Sequence, residues 1–341
     1  MADLPIVAIV GAGVTGGRIA KLLAASGQVR IAISDRRVEL AASVAQFTDG
    51  VTVEPEFAKV ADLAVLAYPA PHADVARSLV EAGVPVVSLS DDLDDVGELL
   101  NVHGLAIEHA VPLVIGAAMS PGLSGLLTRY LVSQMHSVDE IHVAFHGTGG
   151  PDCARQHHNS LGGTSLSWHD GEWVKRPAGA GRELCWFPEP VNAYDCYHAE
   201  MADTLLLHRL FPEAQRISAR MSATRRDRLT ARLPMLSPPH KEGGVGATRV
   251  EIRGANAKGE RETLIAGAAV RSGQAAAIVA ARMARLIIDR RLFPGAVVLG
   301  DQRLPTEELL QGIVADGIAL YQFSGVARAS PESEDDEQSI A

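Results

Sequence analysis

A short glycine-rich stretch near the start of the chain constrains its fold more than any other segment. Residues 6–10 form an apolar, β-branched run that stops at Gly11, and two further glycines follow at Gly13 and Gly16 before apolar residues recur at helical intervals. Strand, tight glycine turn and helix, in this order, are the context in which Gly-x-Gly-x-x-Gly indicates a dinucleotide site. Gly11 permits the turn, Gly13 lets the backbone approach a pyrophosphate, and Gly16 lets the helix pack on the strand.

The second half of this fingerprint follows at the end of the next predicted strand. Residues 29–34 are rich in apolar residues and lead to Asp35, which lies 19 residues beyond Gly16, close to the expected ~20. A carboxylate at this position accepts hydrogen bonds from the ribose hydroxyls and repels a 2′-phosphate, which favours NAD. Arg36 and Arg37 could instead hold that phosphate, so the predicted cofactor is NAD or NADP, with a slight preference for NAD.

The first third of the chain alternates strand and helix signals, which is typical of a doubly wound parallel sheet. Its near-continuous apolar strands suit a sheet that is covered on both faces. Beyond the glycine motif, strands are predicted at 51–53, 63–67, 84–89 and 111–115, and helices at 72–82, 93–109 and 121–134. The last of these helices is predicted to begin with Ser120 as N-cap and Pro121 in the first turn.

The composition shifts after Met135. All three tryptophans, all three cysteines and seven of the twelve histidines fall between His136 and Glu200, which indicates a second domain with a different surface. Later, a hairpin is predicted over 248–253 and 263–270 and a long helix over 272–289. The Pro/Gly-rich segment 236–246 and the basic segment 225–228 are predicted to be surface loops or a lid.

The predicted fold class is therefore α/β, a Rossmann-type doubly wound parallel sheet with a second α+β domain inserted before the C-terminal helices. The domain prediction assigns residues 1–135 to dinucleotide binding and residues 136–271 to substrate binding and dimerisation. Residues 272–330 are predicted to return as helices to the first domain, and residues 331–341 to be a disordered acidic tail.

Composition and charge exclude several classes of partner. The net charge is −10, half of it from five acids in the C-terminal tail, which leaves no basic footprint for nucleic acid. No stretch reaches the ~18 uninterrupted apolar residues of a membrane helix, and the first residues lack the basic region of a signal peptide. Three cysteines are too few for a disulfide framework in a chain of 341 residues. We expect a cytoplasmic protein that acts on a small molecule.

Three later stretches carry a resemblance to a known family. They are the Pro-Gly-Leu segment within 116–127, the Gly-Gly-Pro and Asn-to-Trp segments within 149–168, and the Gly-Gln-Ala and Leu-Pro-Thr-Glu-Glu segments within 273–309. With them the chain is similar to the saccharopine dehydrogenase (reductase)-like oxidoreductases over most of its length. The resemblance implies hydride transfer, with a nicotinamide cofactor, at the C–N bond of a secondary amine that joins an amino acid to an oxoacid. It also implies a homodimer formed through the sheet of the second domain.

The chain departs from this family at positions that bear on the substrate. Ser120 replaces an acid before the Pro-Gly pair, Gly125 replaces a histidine soon after it, and His169 replaces the arginine that follows Trp168. An arginine there would be suited to hold a substrate carboxylate by a forked contact. The departures predict an amine or imine derived from an amino acid as substrate, and not saccharopine itself.

Hydride transfer needs orientation and a proton shuttle from the protein, since the cofactor carries the hydride. His157 and His158 are the predicted catalytic residues because histidine titrates near neutral pH; the alternative is two surface histidines on a polar turn. The segments that follow the fourth and fifth strands should lie at the carboxyl edge of the sheet, where ligands bind; turn formation and helix capping are their alternative roles. The predicted substrate-binding residues are Tyr68, Ser120, Asn159 and Trp168. The predicted cofactor-binding residues are Gly11, Gly13, Val14, Thr15, Gly16, Asp35, Arg36, Pro69 and Ser90.

The sequence also bears on a metal site and on two other functions. No metal site is predicted, because the cysteines are far apart and form no Cys-x-x-Cys pair. A Rossmann C–O dehydrogenase acting on a small hydroxy compound is an alternative, although no Glu-Lys-Pro-like segment occurs near the fifth strand. A non-catalytic dinucleotide-binding or sensor protein is a second alternative, because the carboxylate-binding arginine is missing.

Overall fold

The computed structural model describes residues 4–235 and 238–323, which form two sheets and their covering helices. The strands of the first sheet are β1 (Ile6–Val10), β2 (Arg30–Ser34), β3 (Val51–Val53), β4 (Leu63–Leu66), β5 (Val86–Ser88), β6 (Pro112–Ile115) and β15 (Gly295–Val298). All pair in parallel, in the order β15-β6-β5-β4-β1-β2-β3. This is the predicted doubly wound sheet, with one strand more than expected because β15 returns from the end of the chain.

Helices cover both faces of this sheet. They are α1 (Val14–Ala24), α2 (Val38–Gln46), α3 (Ala73–Glu81), α4 (Leu93–Asn101), α5 (His103–Glu108), α10 (Ser272–Ile288) and α11 (Thr306–Ala315), with a 3₁₀ turn at Phe57–Lys59. The apolar strand residues are fully buried between these layers, as continuous apolar strands require. The long helix α10 packs against α1 and against β4 and β5, as predicted from its alanine-rich sequence.

The second sheet carries the other half of the chain. Its strands are β7 (Ser137–His146), β8 (Thr164–His169), β9 (Glu172–Pro177), β10 (Glu183–Trp186), β11 (Ala193–His198), β12 (Arg216–Ser222), β13 (Val245–Ala255), β14 (Arg261–Arg271) and β16 (Leu320–Phe323). The helices around it are α6 (Leu123–Val132), α7 (Pro151–Ser160), α8 (Asp203–Leu210) and α9 (Arg225–Thr230). The main path is β10-β11-β12-β7-β13-β14-β16, and β8 pairs with β12 and β9. The predicted hairpin is present as β13 and β14, whose ladder runs from Val245↔Arg271 to Ala255↔Arg261.

Several local predictions were wrong. The predicted helix 93–109 is two helices, α4 and α5, that meet at Val102. Helix α6 begins at Leu123 after Gly122, whose φ of 129° favours glycine, and the Ser120 hydroxyl donates to Asp203 and does not cap the helix. The basic segment 225–228 lies in α9, where Thr224 and Asp227 form a capping box.

Two further features bear on the domain prediction. The short strand β16 pairs with β14 of the second sheet, so the end of the described chain does not return only to the first sheet. The predicted acidic tail, residues 331–341, lies outside the described residues. Among the helices of the described ranges, none is both long and apolar enough to cross a membrane.

Candidate active site

The glycine turn is tightly packed underneath and open above. A Cβ on Gly11, whose φ is +106°, would lie 2.6 Å from the Ala67 carbonyl oxygen, and a Cβ on Gly16 would lie 1.7 Å from the Gly11 carbonyl oxygen. A Cβ on Gly13 would meet no atom within 4 Å. Gly11 and Gly16 therefore allow strand, turn and helix to touch. Gly13 leaves space in front of the helix start, where a pyrophosphate binds.

Asp35 at the end of β2 holds this turn in place. Its Oδ2 accepts a hydrogen bond from the backbone N–H of Ala12 (2.8 Å), and its Oδ1 accepts one from the N–H of Arg37 (2.8 Å). The carboxylate thus fixes the turn. Of the residues predicted to select the cofactor, Arg37 lines the cleft above the turn, whereas Asp35 and Arg36 are not among its lining residues.

A cleft of about 780 Å³ runs over the glycine turn. Among the residues that line it are Gly13, Val14, Thr15, Tyr68, Pro69, Gly149, Lys241 and Ser272. The cleft is bounded by the carboxyl edge of the first sheet on one side and by the loop before α7 and the start of α10 on the other. Its place at the edge of a parallel sheet and its open glycine turn fit a dinucleotide cofactor.

A second cleft of about 380 Å³ opens from the first. Asp91, Ser120 and His157 line both clefts, so a molecule in the smaller cleft would lie against the inner end of the cofactor cleft. Asn159, Glu200 and Asp203 line only the smaller one. We treat the smaller cleft as the candidate substrate site.

His157 is held at the junction of the two clefts. Its Nε2 lies 3.0 Å from Asp91 Oδ2, and its Nδ1 lies 3.3 Å from the Gly147 carbonyl oxygen. Gln156 donates a hydrogen bond of 2.6 Å to the other oxygen of Asp91. Because both ring nitrogens face oxygen acceptors, this geometry favours the doubly protonated imidazolium. Burial lowers the pKa of His157, but the neighbouring Cys153 and Asp91 outweigh it and raise the pKa well above its ordinary value.

Cys153 completes a group of three potential metal ligands in this place. In the described part of the chain, Asp91, Cys153 and His157 bring one ligand atom each within 4.8 Å of one another. However, the Cys153 sulfur is almost equidistant from the two ring nitrogens, at 3.9 and 3.7 Å. A metal ion bound by one ring nitrogen lies in the ring plane, beyond that nitrogen and far from the other one. A sulfur that shared this ion would therefore be clearly closer to one nitrogen than to the other, which is not the case for Cys153. The geometry suits an acid–base group better than a metal site.

The substrate cleft is lined by acids. Asp91, Asp92, Asp152, Glu200 and Asp203 face it or form its walls, and among the described lining residues Arg155 is the one arginine or lysine. Arg155 is paired with Asp152. Burial raises the pKa of Glu200, a hydrogen bond from the Thr164 N–H opposes this, and Asp94 and Asp92 raise it further. Such a lining favours cationic ligands.

Asp203 lies under the floor of this cleft. Its Oδ1 accepts hydrogen bonds from Ser120 (2.9 Å) and Ser124 (2.6 Å), whereas its Oδ2 is buried with no partner among the described residues. Burial raises the pKa of Asp203 to about 6, although the two serine hydrogen bonds oppose the shift. The carboxyl group is therefore neutral in mildly acidic solution and an incompletely paired anion above that range.

We expect the variant Asp203→Asn to be more stable than the parent at pH 7.5. When folding raises the pKa of a carboxyl group, the folded protein loses stability as the pH rises from the unfolded pKa to the folded pKa, here from about 4 to about 6. A shift of two pKa units corresponds to about 3 kcal/mol in the free energy of unfolding. The gain should therefore be up to about 3 kcal/mol at pH 7.5 and smaller at pH 4.5, as read from melting temperatures. The exposed control Asp49→Asn should leave the melting temperature close to that of the parent. A variant no more stable than the parent at pH 7.5 would contradict the buried charge.

The structure brings only some of the predicted site residues to the clefts. His158 is buried and turned away, and its Nε2–H donates to the carbonyls of Thr230 (2.9 Å) and Leu233 (3.0 Å). Trp168 does not line either cleft in the described structure; its Nε1 donates to Ala214 (3.0 Å) and its ring packs on His208. Their predicted catalytic and substrate-binding roles have no support in this geometry.

Two of the predicted site residues at the carboxyl edge of the sheet, Ser90 and Tyr68, are not placed as predicted. Ser90 is 3% exposed and lies behind the cleft wall, where its N–H donates to Ser88. Tyr68 does line the cofactor cleft, with its ring tilted against His72 at 4.4 Å. Burial, aided by Asp95, raises the pKa of Tyr68 to about 12, so its hydroxyl remains protonated.

Sequence reasoning missed several residues that line the clefts. Cys153, Lys241, Glu200, Asp203 and Ser272 had no assigned role. The one local signal was the Cys-x-x-x-His spacing of Cys153 and His157, which puts two side chains on the same face of α7. The others are brought to the clefts by chain segments far apart in sequence.

The two sheets and the clefts together define the fold of the NAD(P)-binding oxidoreductases. A Rossmann domain carries the cofactor cleft, and a mixed-sheet domain closes it. Residues 6–91 match the family described as NADP oxidoreductase coenzyme F420-dependent. Apo saccharopine dehydrogenase (L-Glu forming) from Saccharomyces cerevisiae shares the fold, with a TM-score of 0.71 at 12% identity, over 94% of this chain and 100% of that one. The resemblance stated from the sequence is thus confirmed for the fold and for NAD(P) binding.

Two other proteins to which this chain is similar have names that refer to different substrates. A mutant meso-dapdh from Clostridium tetani E88, solved with DAP, has a TM-score of 0.50 at 12% identity, over 89% of this chain and 95% of that one. Myo-inositol dehydrogenase Hyg17 from Streptomyces leeuwenhoekii is 29% identical over 204 residues, which span 58% of this chain and 62% of that protein's length. The match to this curated relative therefore covers less than two thirds of it.

Proposed function

We propose that this protein transfers hydride between NAD(P) and the C–N bond of a small amine or imine derived from an amino acid, and that saccharopine is not its substrate. The observation that carries the proposal is the acid-lined cleft that meets the cofactor cleft at His157 and Asp91. Reduction of an imine passes through a protonated, cationic C=N group, which carboxylates stabilise. Oxidation of an alcohol develops negative charge on oxygen, which the same lining would oppose.

The bound nicotinamide would supply or accept the hydride, and the residues of the chain would position the substrate and move one proton. We propose that His157 Nε2 and Asp91 Oδ2, 3.0 Å apart, act as one acid–base pair that delivers a proton to the substrate nitrogen. Gln156 keeps the Asp91 carboxylate in place. Gly13, Val14 and Thr15 would bind the pyrophosphate.

The same lining supports the proposal that saccharopine is not the substrate. A substrate with several carboxylates needs cationic partners, and Arg155, the described cation of the lining besides His157, is already paired with Asp152. NAD is preferred over NADP in this proposal, because Asp35 directly follows β2, the position from which a Rossmann carboxylate accepts hydrogen bonds from the ribose hydroxyls. Arg37, which lines the cleft, is the residue that would support NADP.

A C–O dehydrogenase is the second candidate, favoured by the partial similarity to a myo-inositol dehydrogenase. The residue that follows β5 in the cleft is Asp91 and not a lysine, which argues against that hypothesis.

We also propose a homodimer through the second sheet. On its outer strand β10, Leu184 and Trp186 are 56% and 62% exposed, as an apolar contact surface would be.

A substrate panel tests the reaction. Reduced cofactor with amine–oxoacid pairs should lose nicotinamide absorbance, and a pair with a basic side chain should exceed a dicarboxylic pair by about tenfold or more in kcat/KM. Oxidised cofactor with saccharopine or myo-inositol should give little or no turnover. A faster reaction with myo-inositol than with any amine would support the hypothesis of a C–O dehydrogenase instead. Cofactor binding without turnover on any substrate would select a non-catalytic binding protein.

A further inference from the structure

The cofactor cleft has a second wall opposite the glycine turn, formed by the start of α10. Ser272, the first residue of this 17-residue helix, lines the cleft and is 4% exposed. Its hydroxyl oxygen packs against Gly246 of β13 and has no hydrogen-bond partner among the described residues. A buried hydroxyl without a partner is unfavourable unless a ligand satisfies it. The first N–H groups of a helix likewise lack partners within the helix and attract anions.

The loop before β13 brings a cation to the same place. Lys241 and Glu242 line the cleft, and Glu242 Oε2 lies 3.9 Å from Arg18 on α1 and 3.4 Å from Arg271, the N-cap of α10. Glu242 thus ties the loop to the two helices whose first residues line the cleft. In residues 4–235 and 238–323, Lys241 forms no ion pair with a carboxylate.

Close backbone packing fixes where this loop lies. A Cβ on Gly243, whose φ is +69°, would be 2.2 Å from the Thr148 carbonyl oxygen. The neighbouring Gly149 is in turn close to Thr15 in the first turn of α1, 3.8 Å from a built Cβ to the Thr15 hydroxyl. Lys241, two residues from Gly243, is therefore held near the first turn of α1, where the pyrophosphate of a dinucleotide binds.

We propose that Lys241 and Ser272 bind the cofactor pyrophosphate from the side opposite the glycine turn, so that α1 and α10 clamp it between them. Glu242 positions the loop by its contacts with Arg18 and Arg271. The proposal rests on NAD(P) binding alone and does not depend on whether the reaction occurs at a C–N or a C–O bond. It assigns a role to part of the Pro/Gly-rich segment 236–246, of which residues 236 and 237 lie outside the described structure.

Titration of the purified full-length protein with NADH, NADPH and ADP-ribose tests the clamp, with protein or nicotinamide fluorescence for the first two and competition for the third. Lys241→Ala should raise Kd by about tenfold for all three ligands, because each carries the pyrophosphate. Lys241→Arg should restore most of the affinity. Ser272→Ala should raise Kd several-fold. The control Lys258→Ala, on the exposed β13–β14 hairpin, should leave Kd unchanged.

The ligand set separates the outcomes. Loss of affinity for NADPH alone would overturn the proposal, because Lys241 would then contact the 2′-phosphate. Loss for NADH and NADPH but not for ADP-ribose would also overturn it, because the contact would then be at the nicotinamide end. Unchanged Kd in both Lys241→Ala and Ser272→Ala, with unchanged melting temperatures, would do the same. Absence of turnover in the substrate panel would leave these Kd values interpretable, so the two proposals fail separately.

Discussion

The variant His157→Gln should lower kcat by about two to three orders of magnitude with the best amine–carbonyl pair, while Kd for the reduced cofactor stays within about twofold of the parent value. His157 forms an acid–base pair with Asp91 at the junction of the two clefts, whereas the cofactor is held elsewhere, at the glycine turn. Glutamine keeps a hydrogen-bond donor and similar bulk but cannot deliver a proton. Steady-state kinetics and a fluorescence titration measure the two quantities.

The pH profile gives this variant a signature that a packing defect would not produce. Because the pKa of His157 is raised well above its ordinary value, the parent should lose imine-reducing activity as the pH rises through that raised pKa. His157→Gln should lose this limb of the profile. His158→Gln is the matched control, since His158 donates to two carbonyls away from the clefts, and its kcat should stay near that of the parent. A parent-like kcat in His157→Gln would remove His157 from the mechanism.

The variant Gly13→Val should fold as the parent does but bind the cofactor at least about a hundredfold more weakly. A Cβ on Gly13 meets no protein atom within 4 Å, and the backbone there has a φ of −69°, which any residue adopts. The added side chain would therefore occupy the space in which the pyrophosphate lies. Kd for NADH, together with the melting temperature of the cofactor-free protein, measures the two effects separately.

Gly16→Ala is the informative partner of this variant, since its Cβ would lie 1.7 Å from the Gly11 carbonyl oxygen. It should lower the melting temperature of the cofactor-free protein, because the strand and the helix must separate to admit a methyl group. Gly13→Val should not. If Gly13→Val kept the affinity of the parent for NADH, the glycine turn would not be the pyrophosphate site.

The comparison of sequence with structure separates local features from assembled ones. The glycine turn, Asp35 and the strand–helix alternation were predictable, because each depends on residue spacing within a few turns of the chain. Ser120 was wrongly predicted to cap α6, because the sequence does not show that Asp203 lies close enough to take its hydroxyl. His157 and His158 are adjacent in sequence and equal in type, and only the packing of α7 turns one toward the clefts and the other away.

By itself the sequence determined the fold class and the NAD(P)-binding turn, because the backbone conformations that glycine permits and the apolar periodicity act over short distances along the chain. Tertiary structure decided the composition of the candidate active site. Asp91 and His157 are 66 residues apart, and Lys241 and Ser272 come from a third and a fourth segment of the chain. The physical reason is that a parallel sheet gathers the loops at its carboxyl edge and that the second sheet lays α7 and the loop before β13 over them, which no short-range pattern records.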